Sequence, residues 1–186
     1  MKTRIITALI TVPLLVLLLL FGNTYLFVLT VTLVSLMGLY EFYNTVGIKE
    51  KKEVCIIGYI GAVVTILFKT FFPAQFSYVF GIWFLTLFLS LIVFNKKVKF
   101  KDAASVMFSV LYIPYLLSYI MLIHNLNGGK FLIWFAIVGA FVTDSFAYFT
   151  GIFLGKHKLC PVISPKKTIE GAIGGLLGTG IVIFFM

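Results

Sequence analysis

Seven apolar runs, most of them long enough to cross a membrane, fill this chain, and short breaks hold most of its charge. The runs cover roughly 5–21, 25–45, 54–72, 76–94, 103–123, 131–154 and 167–186. About 20 helical residues, at ~1.5 Å each, cross a ~30 Å hydrocarbon core. Lipid offers no partner to backbone N–H and C=O groups, so such runs are expected to fold as helices that bond internally. The expected fold is all-α: a polytopic transmembrane helix bundle of about seven spans. Composition agrees, because 61% of the residues are hydrophobic and only 11% charged. A soluble domain is nearer half apolar and a quarter charged. No long hydrophilic linker divides the 186 residues, so one integral membrane domain, 1–186, is expected.

The placement of the basic residues orients the spans. Lys2 and Arg4 precede the first run, and Lys49, Lys51 and Lys52 follow the second. Lys96, Lys97, Lys99 and Lys101 follow the fourth, and Lys156, Lys158, Lys166 and Lys167 follow the sixth. Only Lys69 and Lys130 fall at the alternate breaks. The positive-inside rule then puts the N-terminus and the 155–167 loop in the cytosol. A net charge of +9 distributed this way argues against nucleic acid and for anionic lipid or a phosphorylated substrate. No small-x-small cleavage pattern follows Leu20, so the first run is expected to stay as a helix. Cys55 and Cys160 form no C-x-x-C pair and are expected to be reduced thiols. The chain stops in apolar sequence at Phe184-Phe185-Met186, which reads as a truncation.

Chemistry concentrates between Thr143 and Gly171. Asp144 sits inside an apolar run, nine residues before Phe153 and so ~13 Å from the end of the sixth helix. A carboxylate at that depth needs a cation, a lysine or water, or else a proton shared between helices. Tyr148, one turn on, shares its face. Gly151 to His157 lacks the spacing and the Ser/Thr of a P-loop. His157 and His124 read as solvated interfacial residues. In Ser164-Pro165-Lys166-Lys167, Ser is a good N-cap and Pro suits the first helical position, so the seventh helix is expected to start there. Two lysines would then crowd a helix N-terminus that already favours an anion, unless they are simple positive-inside flanks. Glu170, three and four residues on, would pair with either lysine or hold a cation carried by phosphates. The spacings Gly171/Gly175 and Gly174/Gly178 suit close packing of a neighbouring helix, with the sixth as the candidate.

Asp144-Ser145-Phe146-Ala147-Tyr148, then Gly155-Lys156-His157-Lys158-Leu159, then Ser164-Pro165-Lys166-Lys167-Thr168-Ile169-Glu170-Gly171 resembles the phosphatidate cytidylyltransferase (CDP-diacylglycerol synthase) family. The aromatic-acid cluster around Glu41 is similar too. The resemblance implies transfer of CMP from CTP to phosphatidic acid, with Mg2+, releasing pyrophosphate. It implies catalytic roles for Asp144, Lys167 and Glu170, with Asp144 and Glu170 as metal ligands. It implies that Ser164, Lys166, Lys167, Lys156 and Lys158 bind substrate. The implied partners are CTP, phosphatidic acid and membrane lipid, with a homodimer as a candidate assembly. The implied place is a bacterial inner membrane, with the site facing the cytosol. The family's longer C-terminal signature has no counterpart after Glu170, so the chain resembles the N-terminal two-thirds of the family. Little activity is expected from these residues alone. The alternatives are a CTP-dependent polyprenol kinase, an archaeal-type CDP-lipid synthase and a non-enzymatic transporter fragment.

Overall fold

A computed structural model describes residues 16–161 and 164–185. Most of the first expected span, with Lys2 and Arg4, and the end at Met186 lie outside them. The chain divides into two compact units, residues 1–129 and 130–186.

In the first unit, residues 16–21 are helical and a short break leads to α1 (Thr24–Val46). Asn23 caps α1 by accepting from Leu26 N at 2.9 Å, and Gly47, at φ 76°, ends it in the left-handed turn that glycine adopts most readily. α2 (Lys52–Phe71) and α3 (Pro73–Val93) follow. Pro73 opens α3, where its missing N–H costs nothing. α4 (Phe100–Val110) runs through a π turn, Leu111–Tyr115, into α5 (Leu116–His124). Pro114 lies within that turn; it has no N–H to give the helical ladder, and the wider turn absorbs the defect.

Five helices, α1, α2, α3, the continuous α4–α5 and α6 (Gly129–Phe153), have 20 to 25 residues and enough apolar character to cross a membrane. The chain is a helical membrane bundle, as its apolar runs require. The core of the first unit gathers Leu39, Tyr43, Val54, Trp83, Leu87, Val106 and Val110. Gly61 leaves room for the Trp83 indole, whose Nε1 donates to the Ile57 carbonyl at 2.8 Å. Lys69, only 7% exposed, lies near the end of α2 with its ammonium 3.7 and 3.6 Å from the Tyr115 and Tyr119 ring centroids. Two aromatic faces thus attract a cation that lipid would otherwise disfavour.

Ion pairs tie two of the basic breaks together. Lys51 bonds to Asp102, and Lys97 Nζ lies 2.6 Å from Glu53 Oε1. Asp102 is fully buried in the first turn of α4, where its Oδ2 also accepts from Lys99 N at 2.7 Å. The 47–53 and 94–102 breaks therefore meet at one end of this unit, as alternating spans demand. The work of Asp102 is structural: it caps a helix and joins two loops. Removing one partner of a buried pair strands the other, but the Lys51 side chain is 26% exposed and can turn to water. Asp102→Ala is expected to destabilise the protein by about 2 kcal/mol, read as a lower melting temperature in detergent. Adding Lys51→Met should recover part of that loss, because no unpaired charge then remains.

In the second unit, α6 leads into a two-stranded antiparallel hairpin, β1 (Lys158–Cys160) and β2 (Ser164–Thr168), and then α7 (Ile169–Phe185). Within the described residues the seventh apolar run forms a helix of 17 residues, preceded by a strand.

Candidate active site

The hairpin overturns the expected helix start at Ser164. Ser164 pairs with Cys160 across the ladder, and Pro165 sits in a strand of a two-stranded sheet, where both strands are edges and a missing N–H is tolerated. The cap is Thr168, whose Oγ1 accepts from Gly171 N at 3.2 Å. Thr168 stands directly before the first apolar residue of the helix, a cue that the cap rule alone could have supplied. Lys166 and Lys167 consequently lie on β2 and not in the first turn of α7. The acid in that turn is Glu170, the sign that the helix dipole favours.

The Glu170 pairings expected along a helix surface do not form either, because neither lysine is on the helix. Its partners come from the loop after α6. Glu170 Oε2 accepts from Lys156 N at 3.1 Å and from His157 N at 3.2 Å. Glu170 Oε1 lies 3.2 Å from His157 N and 2.6 Å from His157 Nδ1. His157, though 75% exposed, is therefore engaged and not merely solvated. The His157 ring beside it, and the backbone N–H groups of Lys156 and His157, hold the Glu170 carboxyl down at about 2. It stays ionised.

α6 and α7 pack through the glycine face. A Cβ at Gly171 would lie 2.8 Å from the Ala147 carbonyl oxygen, and one at Gly175 would lie 3.0 Å from the Thr143 carbonyl oxygen. Hydroxyls bond across the same seam, with Thr143 Oγ1 and Thr179 Oγ1 2.6 Å apart. The expectation that this glycine run admits the sixth helix holds. Sequence reasoning missed the Thr143–Thr179 bond, since threonines within apolar helices give no sign of which neighbour they face.

Asp144 is exposed on α6 beside this seam, with Tyr148 exposed one turn on. No hydrogen bond or ion pair from the described residues engages its carboxylate. Gly151 faces Gly171, next to Glu170, and Asp144 lies two turns from Gly151 along α6, so about 10 Å separates the levels of the two acids. The structure does not bring Asp144 and Glu170 together. Lys156, Lys158, Lys166 and Lys167 are all exposed and form no ion pair with described residues. Four ammonium groups thus stand around one short hairpin whose nearest acid is already occupied, an arrangement that attracts polyanions.

Among the described residues no group of three or more His, Cys, Asp or Glu side chains could hold a metal ion. Mg2+ seldom needs such a cage. It keeps waters and takes one or two carboxylates together with substrate phosphates. A single carboxylate at Asp144 that no described residue engages fits that pattern.

The cytidylyltransferase family model matches residues 2–186. A protein of Staphylococcus aureus named phosphatidate cytidylyltransferase is 33% identical over 98% of this chain and 70% of its own length. One of the same name from Staphylococcus haemolyticus is 34% identical over 100% of this chain and 72% of its own length. Another from Bacillus subtilis is 30% identical, over 95% and 68% respectively. No solved structure matches. With a family model that runs from residue 2 to residue 186 over an apolar bundle and its basic hairpin, the chain belongs to the cytidylyltransferase family.

Proposed function

We propose that this chain is a phosphatidate cytidylyltransferase: it transfers CMP from CTP to phosphatidic acid, forming CDP-diacylglycerol and pyrophosphate. The observation that carries this reading is its likeness, along nearly the whole chain, to bacterial proteins of that name. The geometry of the second unit suits the chemistry. A phosphate oxygen of phosphatidic acid attacks the α-phosphorus of CTP, the bond to the β-phosphate oxygen breaks, and pyrophosphate leaves. Charge accumulates on the phosphates throughout, so fixed cations lower the barrier. Lys166 and Lys167 on β2, with Lys156 and Lys158 beside them, hold the triphosphate, and Ser164 at the start of β2 offers a hydroxyl. Lys167 neutralises charge at the reacting phosphates. Asp144 would supply the protein carboxylate that holds Mg2+. Bound there, Mg2+ would polarise phosphate oxygens and offset the charge on the leaving group.

The membrane context fits an acceptor that resides in lipid. The proposed setting is a bacterial inner membrane with the hairpin on the cytosolic side, supported by the basic breaks and the bacterial relatives. The test supplies purified protein in detergent with labelled CTP, phosphatidic acid and Mg2+. Labelled CDP-diacylglycerol and stoichiometric pyrophosphate are expected from the full-length protein, with these 186 residues alone giving little product. Transfer of the terminal phosphate to a polyprenol, with no CDP-lipid formed, would overturn the reading. Lys166→Ala and Lys167→Ala should each lower kcat/KM for CTP by about 10- to 100-fold, since a charge-assisted contact contributes ~1.5–3 kcal/mol.

A further inference from the structure

We infer that Glu170 and His157 form one positioning clamp that sets the loop between α6 and β1 for the triphosphate, and that Glu170 is not a ligand to the metal. The inference rests on the cytidylyltransferase reading of this site. Both Glu170 oxygens are turned into the loop, where the N–H groups of Lys156 and His157 and the His157 ring meet them at 2.6 to 3.2 Å. A return bond runs from Ile169 N to the His157 carbonyl at 3.0 Å. The first turn of α7 and the end of the α6 loop are thereby joined in both directions, side chain to backbone and backbone to backbone.

A metal ion at Glu170 would have to displace these donors. Mg2+ demands near-octahedral ligands at about 2.0–2.1 Å, and backbone N–H groups aimed at both oxygens leave it no approach from the loop side. The other acid proposed for the site, Asp144, stands two turns of α6, a rise of about 10 Å, from Gly151, the residue that faces Gly171. The clamp has a use of its own. It fixes the backbone at Lys156, whose side chain is exposed, two residues before Lys158 opens β1. Lysines that project from a fixed base lose less freedom when a triphosphate orders them. Glu170 and His157 are therefore positioning residues that act through Lys156 and Lys158.

The experiment compares His157→Ala, His157→Asn, Glu170→Gln and the double variant Glu170→Gln/His157→Ala, each in the whole protein in detergent. His157→Ala should raise KM for CTP about tenfold, in line with the loss of a hydrogen bond to a charged group, and leave kcat within about threefold. His157→Asn should recover most of that loss, because its amide nitrogen reaches the position of ring Nδ1. In Glu170→Gln one oxygen becomes an NH2 that faces N–H donors, so KM for CTP rises at least as far. The Mg2+ concentration for half-maximal rate should not change. The double variant should be no worse than Glu170→Gln, as expected for one shared interaction. Independently of turnover, the Lys156 and His157 amides should exchange with solvent faster in Glu170→Gln.

A raised Mg2+ requirement in Glu170→Gln with unchanged KM for CTP would overturn the clamp in favour of a ligand. So would wild-type behaviour in His157→Ala, no recovery by His157→Asn, or unchanged amide exchange. Absence of CDP-lipid from the unsubstituted protein would instead overturn the function, and the exchange measurement would still test the clamp.

Discussion

Asp144→Asn is expected to lower CMP transfer by about 10²–10³-fold while leaving the protein as stable as before, or more so. Removing one preorganised electrostatic partner of a developing charge costs about 3–4 kcal/mol of transition-state stabilisation. Asp144 is the acid of α6 that no described residue pairs with, so its loss breaks no contact in the fold. An ionised Asp in an apolar helix is itself unfavourable, by up to about 2.5–3.5 kcal/mol at the centre of a span. Neutralising it should therefore hold or raise the melting temperature in detergent even as activity falls. Activity and stability moving in opposite directions is the signature of a residue kept for chemistry. Activity retained within about threefold would remove Asp144 from the site.

Gly171→Val should be as damaging, by a different route. The new Cβ would lie 2.8 Å from the Ala147 carbonyl oxygen and 2.9 Å from Thr168 Oγ1, before the two methyl groups are counted. The first obstacle is backbone, which cannot swing aside as a side chain can. Overpacking of this kind costs about 1–3 kcal/mol, and here the upper end is expected. The strain falls directly after Glu170, at the residue whose N–H the Thr168 cap accepts, so the hairpin lysines should lose their placement as α6 and α7 part. A lower melting temperature together with a loss of CTP turnover is the expected result. Gly180→Ala on the same helix is the control: nothing lies within 4 Å of its added Cβ, and both properties should survive. If Gly171→Val melts like the unsubstituted protein, α6 and α7 do not pack through this glycine face.

The bundle was legible in the sequence because hydropathy is a local property. The breaks at Gly22-Asn23 and Gly47 reappear as a cap and a left-handed turn, for the same reasons that made them breaks. The glycine spacing from 171 to 178 likewise announced a close neighbour, since small residues at helical intervals serve little else in lipid. The start of α7 was misread. Ser164-Pro165 has the local chemistry of a helix start, and so does Thr168-Ile169. Pairing between Lys158–Cys160 and Ser164–Thr168 chose the second, and no pattern within either segment discloses that pairing.

The sequence by itself determined a helical membrane protein, the order of its apolar runs, the basic character of the loop after the sixth run, and an acid stranded within that run. These follow from the cost of placing charge and backbone polar groups in lipid, which each segment meets alone. Only the tertiary structure decided that Lys166 and Lys167 leave from a strand, that Glu170 is spent on His157 and the Lys156 backbone, that Asp102 joins two loops, and that Asp144 remains unpaired among the described residues. Those outcomes depend on which groups meet across gaps of many residues. Hydrogen bonds and ion pairs are short-ranged and directional, so partner choice is settled only when the chain has closed upon itself.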